Sequence, residues 1–144
     1  MGKKRIIKKK GGAMDHGLKA RAMSRIPKKK ITKGIINILS TYNNTLVSVS
    51  DDKGGVLIWS SSGSLGFKGA KKGTPFAASK VAEVVADKAS MIGMKEADVI
   101  IRGVGAGRDS AIRTFAARGV EITSILDTTP VPHNGPKAKK PRRV

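Results

Sequence analysis

Between Gly34 and Leu126 two hydrophobic periodicities follow one another, and their order predicts the architecture. Three short β-type runs come first: Gly34 to Ser40 (GIINILS), Thr45 to Ser50 (TLVSVS) and Val56 to Ser60 (VLIWS). In the second, Val47 and Val49 take one face and Ser48 and Ser50 the other, the period of a half-buried strand. Tyr42-Asn43-Asn44 and Asp51-Asp52-Lys53-Gly54-Gly55 separate the runs with turn chemistry, so an antiparallel meander is expected. After Gly73 the spacing becomes helical. Thr74 suits an N-cap, Pro75 the first helical position and Gly93 the position after the last turn. Ala78, Val81, Val85, Ala89 and Ile92 form one stripe, with Lys80, Glu83, Asp87 and Lys88 off it. Asp98 to Arg102 is a short apolar strand and Gly103 to Gly107 a loop. A helix of about ten residues follows, capped at Asp109 or Ser110 and ending at Gly119, and Val120 to Leu126 is the last strand. The order βββαβαβ predicts an α/β fold with one mixed sheet carrying helices, its parallel connections right-handed.

Charge divides the chain differently. Residues 1–33 hold 13 Lys/Arg and one acid (+12), residues 130–144 hold five and none (+5), and residues 34–129 hold 11 against nine (+2), which together make the net +19. The expected organisation is a basic N-terminal extension (1–33), a folded body (34–129) and a basic C-terminal tail (130–144). Both arms have too few apolar residues to offset the entropy of ordering and are expected to be disordered when alone. Basic arms around a nearly neutral body point to a polyanion, and nucleic acid is the commonest one.

Several classes drop out. No apolar stretch approaches 18 residues, so no membrane helix is expected. Without cysteine there are no disulfides or cysteine-rich zinc sites. The N-terminus has no apolar run of the kind a secretory signal needs, and Ile6 stands where a myristoylation site has Ser or Thr; an organellar transit peptide stays open. No metal or cofactor is expected. His16 and His133 sit in basic segments without a rigid frame, and Asp51, Asp52, Asp98, Asp109 and Asp127 mostly fall at turns, strand ends or a helix cap, so no enzyme is expected.

The loop Gly103-Val104-Gly105-Ala106-Gly107 before a helix could bring backbone N–H groups to a phosphate, with Arg108 and Arg113 beside it. Neither the dinucleotide fingerprint nor a Walker loop fits, and a tight turn without ligand also explains the glycines. Lys68, Lys71 and Lys72 flank glycines just ahead of a helix start, again suited to phosphate or simply to solvent. Asn43 and Asn44 make a hairpin turn and could also bond RNA. Trp59 is expected in the core. With five aromatics, at most one or two are spare for base stacking, so a folded RNA held by phosphates and shape is expected in preference to sequence readout.

Four stretches, in this order, resemble small-subunit ribosomal protein eleven. They are Tyr42-Asn43-Asn44-Thr45; Gly66-Phe67-Lys68-Gly69 through Lys72-Gly73-Thr74-Pro75-Phe76-Ala77-Ala78; the glycine loop with Arg108; and Asp127 to Gly135 through Pro141-Arg142-Arg143-Val144. The likeness covers about residues 33–144 and is to the bacterial or organellar form. It implies a ribonuclease-H-like mixed sheet without nuclease activity, set on the small-subunit platform and bound to 16S-type rRNA. It also implies ribosomal proteins six, eighteen and seven as neighbours, nearness to the path of messenger RNA, and a place in the ribosome, cytoplasmic or organellar. Carried onto this chain, the RNA contacts it implies are Asn43, Asn44, Lys68, Lys71, Lys72, Arg102, Arg108 and the tail from His133, Asn134 and Gly135 through Lys137, Lys139, Lys140, Arg142 and Arg143. Position and charge add Lys28, Lys29, Lys30, Lys33, Gly105, Gly107 and Arg113. Two departures stand out. Val104 and Ala106 replace the prolines usual in the family's Gly-Pro-Gly-Pro-Gly loop, and the first 30 residues match no family pattern.

Overall fold

Strands and helices form where the periodicities place them. In the computed structural model, which describes residues 16–143, β1 (Lys33–Ser40), β2 (Thr45–Ser50) and β3 (Val56–Ser61) make the meander. Then come α2 (Pro75–Met91), β4 (Glu96–Arg102), α3 (Arg108–Ala117) and β5 (Glu121–Asp127). The sheet order is β3-β2-β1-β4-β5, antiparallel within the meander and parallel across β1–β4 and β4–β5. This is the mixed ribonuclease-H-like sheet that the resemblance implies. Parallel β4 beside β1 and parallel β5 beside β4 require both crossovers to pass over a face, and α2 and α3 are those crossovers.

Alternation then decides which residues are covered. Gly34, Ile36, Ile38 and Ser40 of β1, Val47 and Val49 of β2, Ile58 of β3, and Ala97, Val99 and Ile101 of β4 are buried on the helix-bearing side. Asn37, Leu39, Ser48, Trp59, Ile100 and Arg102 occupy the opposite face, which carries no helix. Trp59 is 59% exposed, contrary to the expectation that it joins the core. With Ile58 and Ser60 turned inward, the strand's period of two sends Trp59 outward.

The predicted limits of α2 hold, whereas α3 starts at Arg108 with Gly107 as its cap, ahead of the expected Asp109 or Ser110. Thr74 Oγ1 accepts from the Ala77 N–H at 3.3 Å, Pro75 opens α2, and Gly93 follows with φ +88°, the left-handed conformation that suits glycine. α2 is buried on more than one stripe: Ala82, Val84 and Ala86 are covered as well as Ala78, Val81 and Val85. It packs on β2 and β3 and against α3, so several of its sides face protein.

The segment preceding β1 differs most from the sequence reading. α1 (His16–Ser24) contains Leu18, Ala20, Ala22 and Met23, good helix formers, and packs on α2. Ile31 joins the core margin, and its N–H donates to the Ile92 carbonyl at 3.2 Å. Lys88, which the sequence places off the apolar stripe, is 5% exposed beneath this cover. The basic clusters Lys3-Lys4-Arg5 and Lys8-Lys9-Lys10 lie outside the described residues.

Candidate nucleic-acid interface

Parallel strands bring their C-terminal ends together, and loops leaving those ends share one pole of the body. The turn Thr41–Asn44, the loop 62–74, the glycine loop 103–107 and the exit of β5 all gather there. Close backbone approach holds them. A Cβ on Gly73 would collide with the Tyr42 carbonyl, which seats the lysine loop on the Asn43-Asn44 turn. Cβ atoms on Gly103 and Gly105 would strike the Ser40 and Thr41 carbonyls. One on Gly107 would lie 2.6 Å from Ala78 Cβ and 2.7 Å from Thr45 Oγ1. The glycine loop therefore wraps the end of β1 and the first turn of α2. The Gly105 N–H donates to the Ser40 carbonyl at 2.8 Å.

Residues distant in sequence thus become neighbours. Asn43, Asn44, Lys68, Lys71, Lys72, Gly105, Gly107 and Arg108 meet at this pole, with Arg102 at the end of β4 and Arg113 on the second turn of α3. Lys71 and Lys72 sit in a 3₁₀ turn, Gly69–Gly73, directly before α2. Among the described residues no acid pairs with Lys68, Lys71 or Lys72. Both α2 and α3 point their N-termini this way, and no side chain caps α3 at Gly107. Free first-turn N–H groups, the positive ends of two helix dipoles and three unpaired ammonium groups together favour a phosphate-rich ligand. The buried polar atoms without a partner among the described residues, Ser40 Oγ, Asn44 Oδ1 and Thr45 Oγ1, are at the same pole.

Arg108 has a more structural position than the sequence suggests. Its guanidinium donates to the Gly103 carbonyl at 2.8 Å and pairs with Asp127. Asp127 in turn accepts from the hydroxyl and the N–H of Thr129. These two bonds, followed by Arg108, hold its pKa down at about 2. The Gly103 N–H donates to Thr129 Oγ1 at 3.1 Å, and the Thr128 N–H extends the ladder to Ile101. The tail therefore leaves the body from a fixed point beside the glycine loop. From His133 to Arg143 it is exposed throughout, with Asn134 in the left-handed region at φ +53°.

Lys28, Lys29, Lys30 and Lys33 do not join this cluster. They lie at the opposite end of the sheet, where Lys29 bonds Asp51 at 2.5 Å and Lys33 pairs with Asp98 at 3.3 Å. Lys29, and after it the Gly55 N–H, lowers the Asp51 pKa; Ser124, and then Lys33, lowers that of Asp98. Asp51, Asp98 and Asp127 thus all have structural partners. Sequence reasoning also undercounted the free aromatics. Tyr42 is 77% and Phe76 57% exposed, both at the loop pole, so with Trp59 three of the five are accessible where one or two were expected. The signal for Tyr42 was its place in a turn; the open sheet face that frees Trp59 is visible only in three dimensions.

These features define a structural α/β protein with a cationic pole whose chemistry suits a phosphate-rich ligand. The comparisons make the class specific. A family model for ribosomal protein S11 matches residues 34–143. The small ribosomal subunit protein uS11c of Cyanidioschyzon merolae is 58% identical over 112 residues, covering 78% of this chain and 93% of that protein. The chain belongs to the ribosomal protein S11 family. It is a structural, non-enzymatic component of the small ribosomal subunit, binds the subunit's rRNA in its platform, and supports translation as part of the ribosome.

Proposed function

We propose that the loop pole is the surface that grips rRNA. Asn43, Asn44, Lys68, Lys71, Lys72, Arg102 and Arg113 would contact phosphates and riboses, while Gly105 and Gly107 bring backbone N–H groups close and Arg108 holds the loop in shape. The body (34–129) docks by shape, the tail (130–144) threads between RNA segments from His133 onward and orders as it binds, and the extension (1–33) adds charge. Ribosomal proteins six, eighteen and seven are the proposed neighbours, with messenger RNA passing nearby. The observation that carries this reading is the convergence of three unpaired lysines, two helix N-termini and the tail's exit on one pole.

The test is a salt titration of the full chain on folded platform rRNA. If roughly 6–10 phosphates are neutralised, log affinity falls against log salt with a slope of about −5 to −9. A nearly flat plot overturns the mechanism. Equal competition by an unrelated duplex would instead favour a general nucleic-acid chaperone or compacting protein.

A further inference from the structure

Lys88 is a cation on a buried side of α2. It is 5% exposed, and among the described residues no carboxylate pairs with it; the acids of its own helix, Glu83 and Asp87, face Arg118 at 3.7 and 2.8 Å. Burial, and secondarily the like charge of Arg25, hold its pKa below the ordinary lysine value. A buried ammonium beside another cation is unfavourable unless something anionic completes it.

The surroundings are shaped for such a group. Lys88 lines a pocket of about 400 Å³ together with Arg21, Ser24 and Arg25 from α1, the edge strand β3 from Leu57 to Ser60, and Ser64. Three cations and three hydroxyls converge there, and among the described residues no acid lines the pocket. Its volume suits a nucleotide-sized ligand. Trp59, more than half exposed, has its ring on the helix-free face but lines the pocket at the edge of β3, where a base attached to a bound phosphate can reach it around the sheet margin.

We propose that this pocket between α1, β3 and α2 binds the backbone phosphate of an unpaired nucleotide, with its base stacked on Trp59. The inference rests on the reading of this chain as an rRNA binder and assigns it a second contact. Thirteen residues of α2 separate Pro75, beside the lysine loop, from Lys88, so the two sites are roughly 20 Å apart and cannot share a phosphate. Arg21, Ser24 and Arg25 also precede residue 34, where the family match begins, so the site combines the body with a segment outside that match.

Trp59 is the chain's single tryptophan, so its fluorescence reports on the pocket directly. The full chain is titrated with a 5′-phosphorylated uridine trinucleotide, with inorganic phosphate, with uridine and with a glutamate hexapeptide. A saturable change with the trinucleotide is expected, with inorganic phosphate competing and uridine inert. Lys88→Met keeps the buried stem and removes the charge; it should melt no lower than wild type, yet bind the trinucleotide about tenfold more weakly or worse. Arg25→Gln, an exposed change, should weaken binding in the same direction. Replacing Lys68, Lys71 and Lys72 should leave the fluorescence response unchanged. An unsaturable response, or wild-type affinity in both Lys88→Met and Arg25→Gln, overturns the site. Binding of inorganic phosphate without any gain from the trinucleotide overturns the nucleotide in favour of a free anion, and equal binding of the hexapeptide overturns it in favour of an acidic protein. None of these failures alters the salt slope on platform rRNA, so they are distinguishable from failure of the loop-pole reading.

Discussion

The two ends of the sheet carry similar numbers of lysines, but only at one of them are any, two of four, paired with acids among the described residues. At the end where β1 begins, Lys29 and Lys33 are matched to Asp51 and Asp98, and the pairs tie the incoming chain to the body. At the end where β1 stops, Lys68, Lys71 and Lys72 have no acid partner among the described residues. About 25 Å of strand separates the two ends. Paired surface charges contribute little to the field seen by a ligand, whereas unpaired ones beside helix N-termini add to it. Counting lysines along the sequence cannot separate the two groups; the acids that neutralise Lys29 and Lys33 lie 22 and 65 positions away.

Removing Pro130 to Val144 should have the largest effect, because it takes five cations from the loop pole at once. The body should still fold, since the last core contacts come from β5 and before, but the salt slope on platform rRNA should shrink by about 4 to 5. Incorporation into small subunits, followed by sedimentation, should collapse. Normal incorporation of the truncated chain would show that the pole works without its tail.

Next comes the direct contest between the ends. Lys68→Ala, Lys71→Ala and Lys72→Ala combined should reduce the slope by about 3, each lost phosphate contact removing roughly 0.9. Lys29→Ala with Lys33→Ala should move it by less than about 1, and should instead lower the melting temperature slightly by freeing Asp51 and Asp98. Equal losses of affinity from the two sets would erase the distinction between the ends.

Gly105→Val probes whether the pole must be rigid. Its side chain would meet the Thr41 carbonyl and Ser40 Oγ, forcing the loop off β1. A loss of about 1–3 kcal/mol in urea unfolding is expected, with weaker rRNA binding, while Gly54→Ala in the opposite turn, where nothing lies within contact distance, should leave rRNA binding unchanged and cost only the strain of its φ of +84°.

The sheet and both crossover helices were legible because each rests on local signals: period-two valines in β2, the Thr74-Pro75 start, the Gly93 stop. The loop pole was legible in composition, as lysines and glycines ahead of helices. What escaped depends on cover supplied from elsewhere. Lys88 reads as a surface residue until α1 lies over it, and α1 itself has a weakly patterned sequence that only contact with α2 makes useful. Trp59 was misplaced because an isolated VLIWS run does not say which of its two faces meets the helices. The structural partner of Arg108 escaped as well, because Asp127 is 19 residues on at the end of another strand.

The smallest effect concerns that last pair. Asp127 has a folded-state pKa of about 2 against an ordinary value of 3.8. A carboxylate with a depressed pKa adds stability that is fully present above the unfolded value and is lost as pH falls through the folded one. Between pH 5 and pH 4 wild type should therefore melt slightly above Asp127→Asn, and the gap should close as pH drops from about 4 to 2. Hydrogen exchange localises the change. Loss of the Asp127 charge loosens Thr129 and Arg108, so at pH 5 the amides of Gly103 and Thr129 should be less protected in Asp127→Asn than in wild type, while that of Gly55, which Asp51 holds at the other end, should be unchanged. Simultaneous loss at both ends would mean that the two poles are a single cooperative unit and that the Asp127 cluster does not set the local stability of the glycine loop.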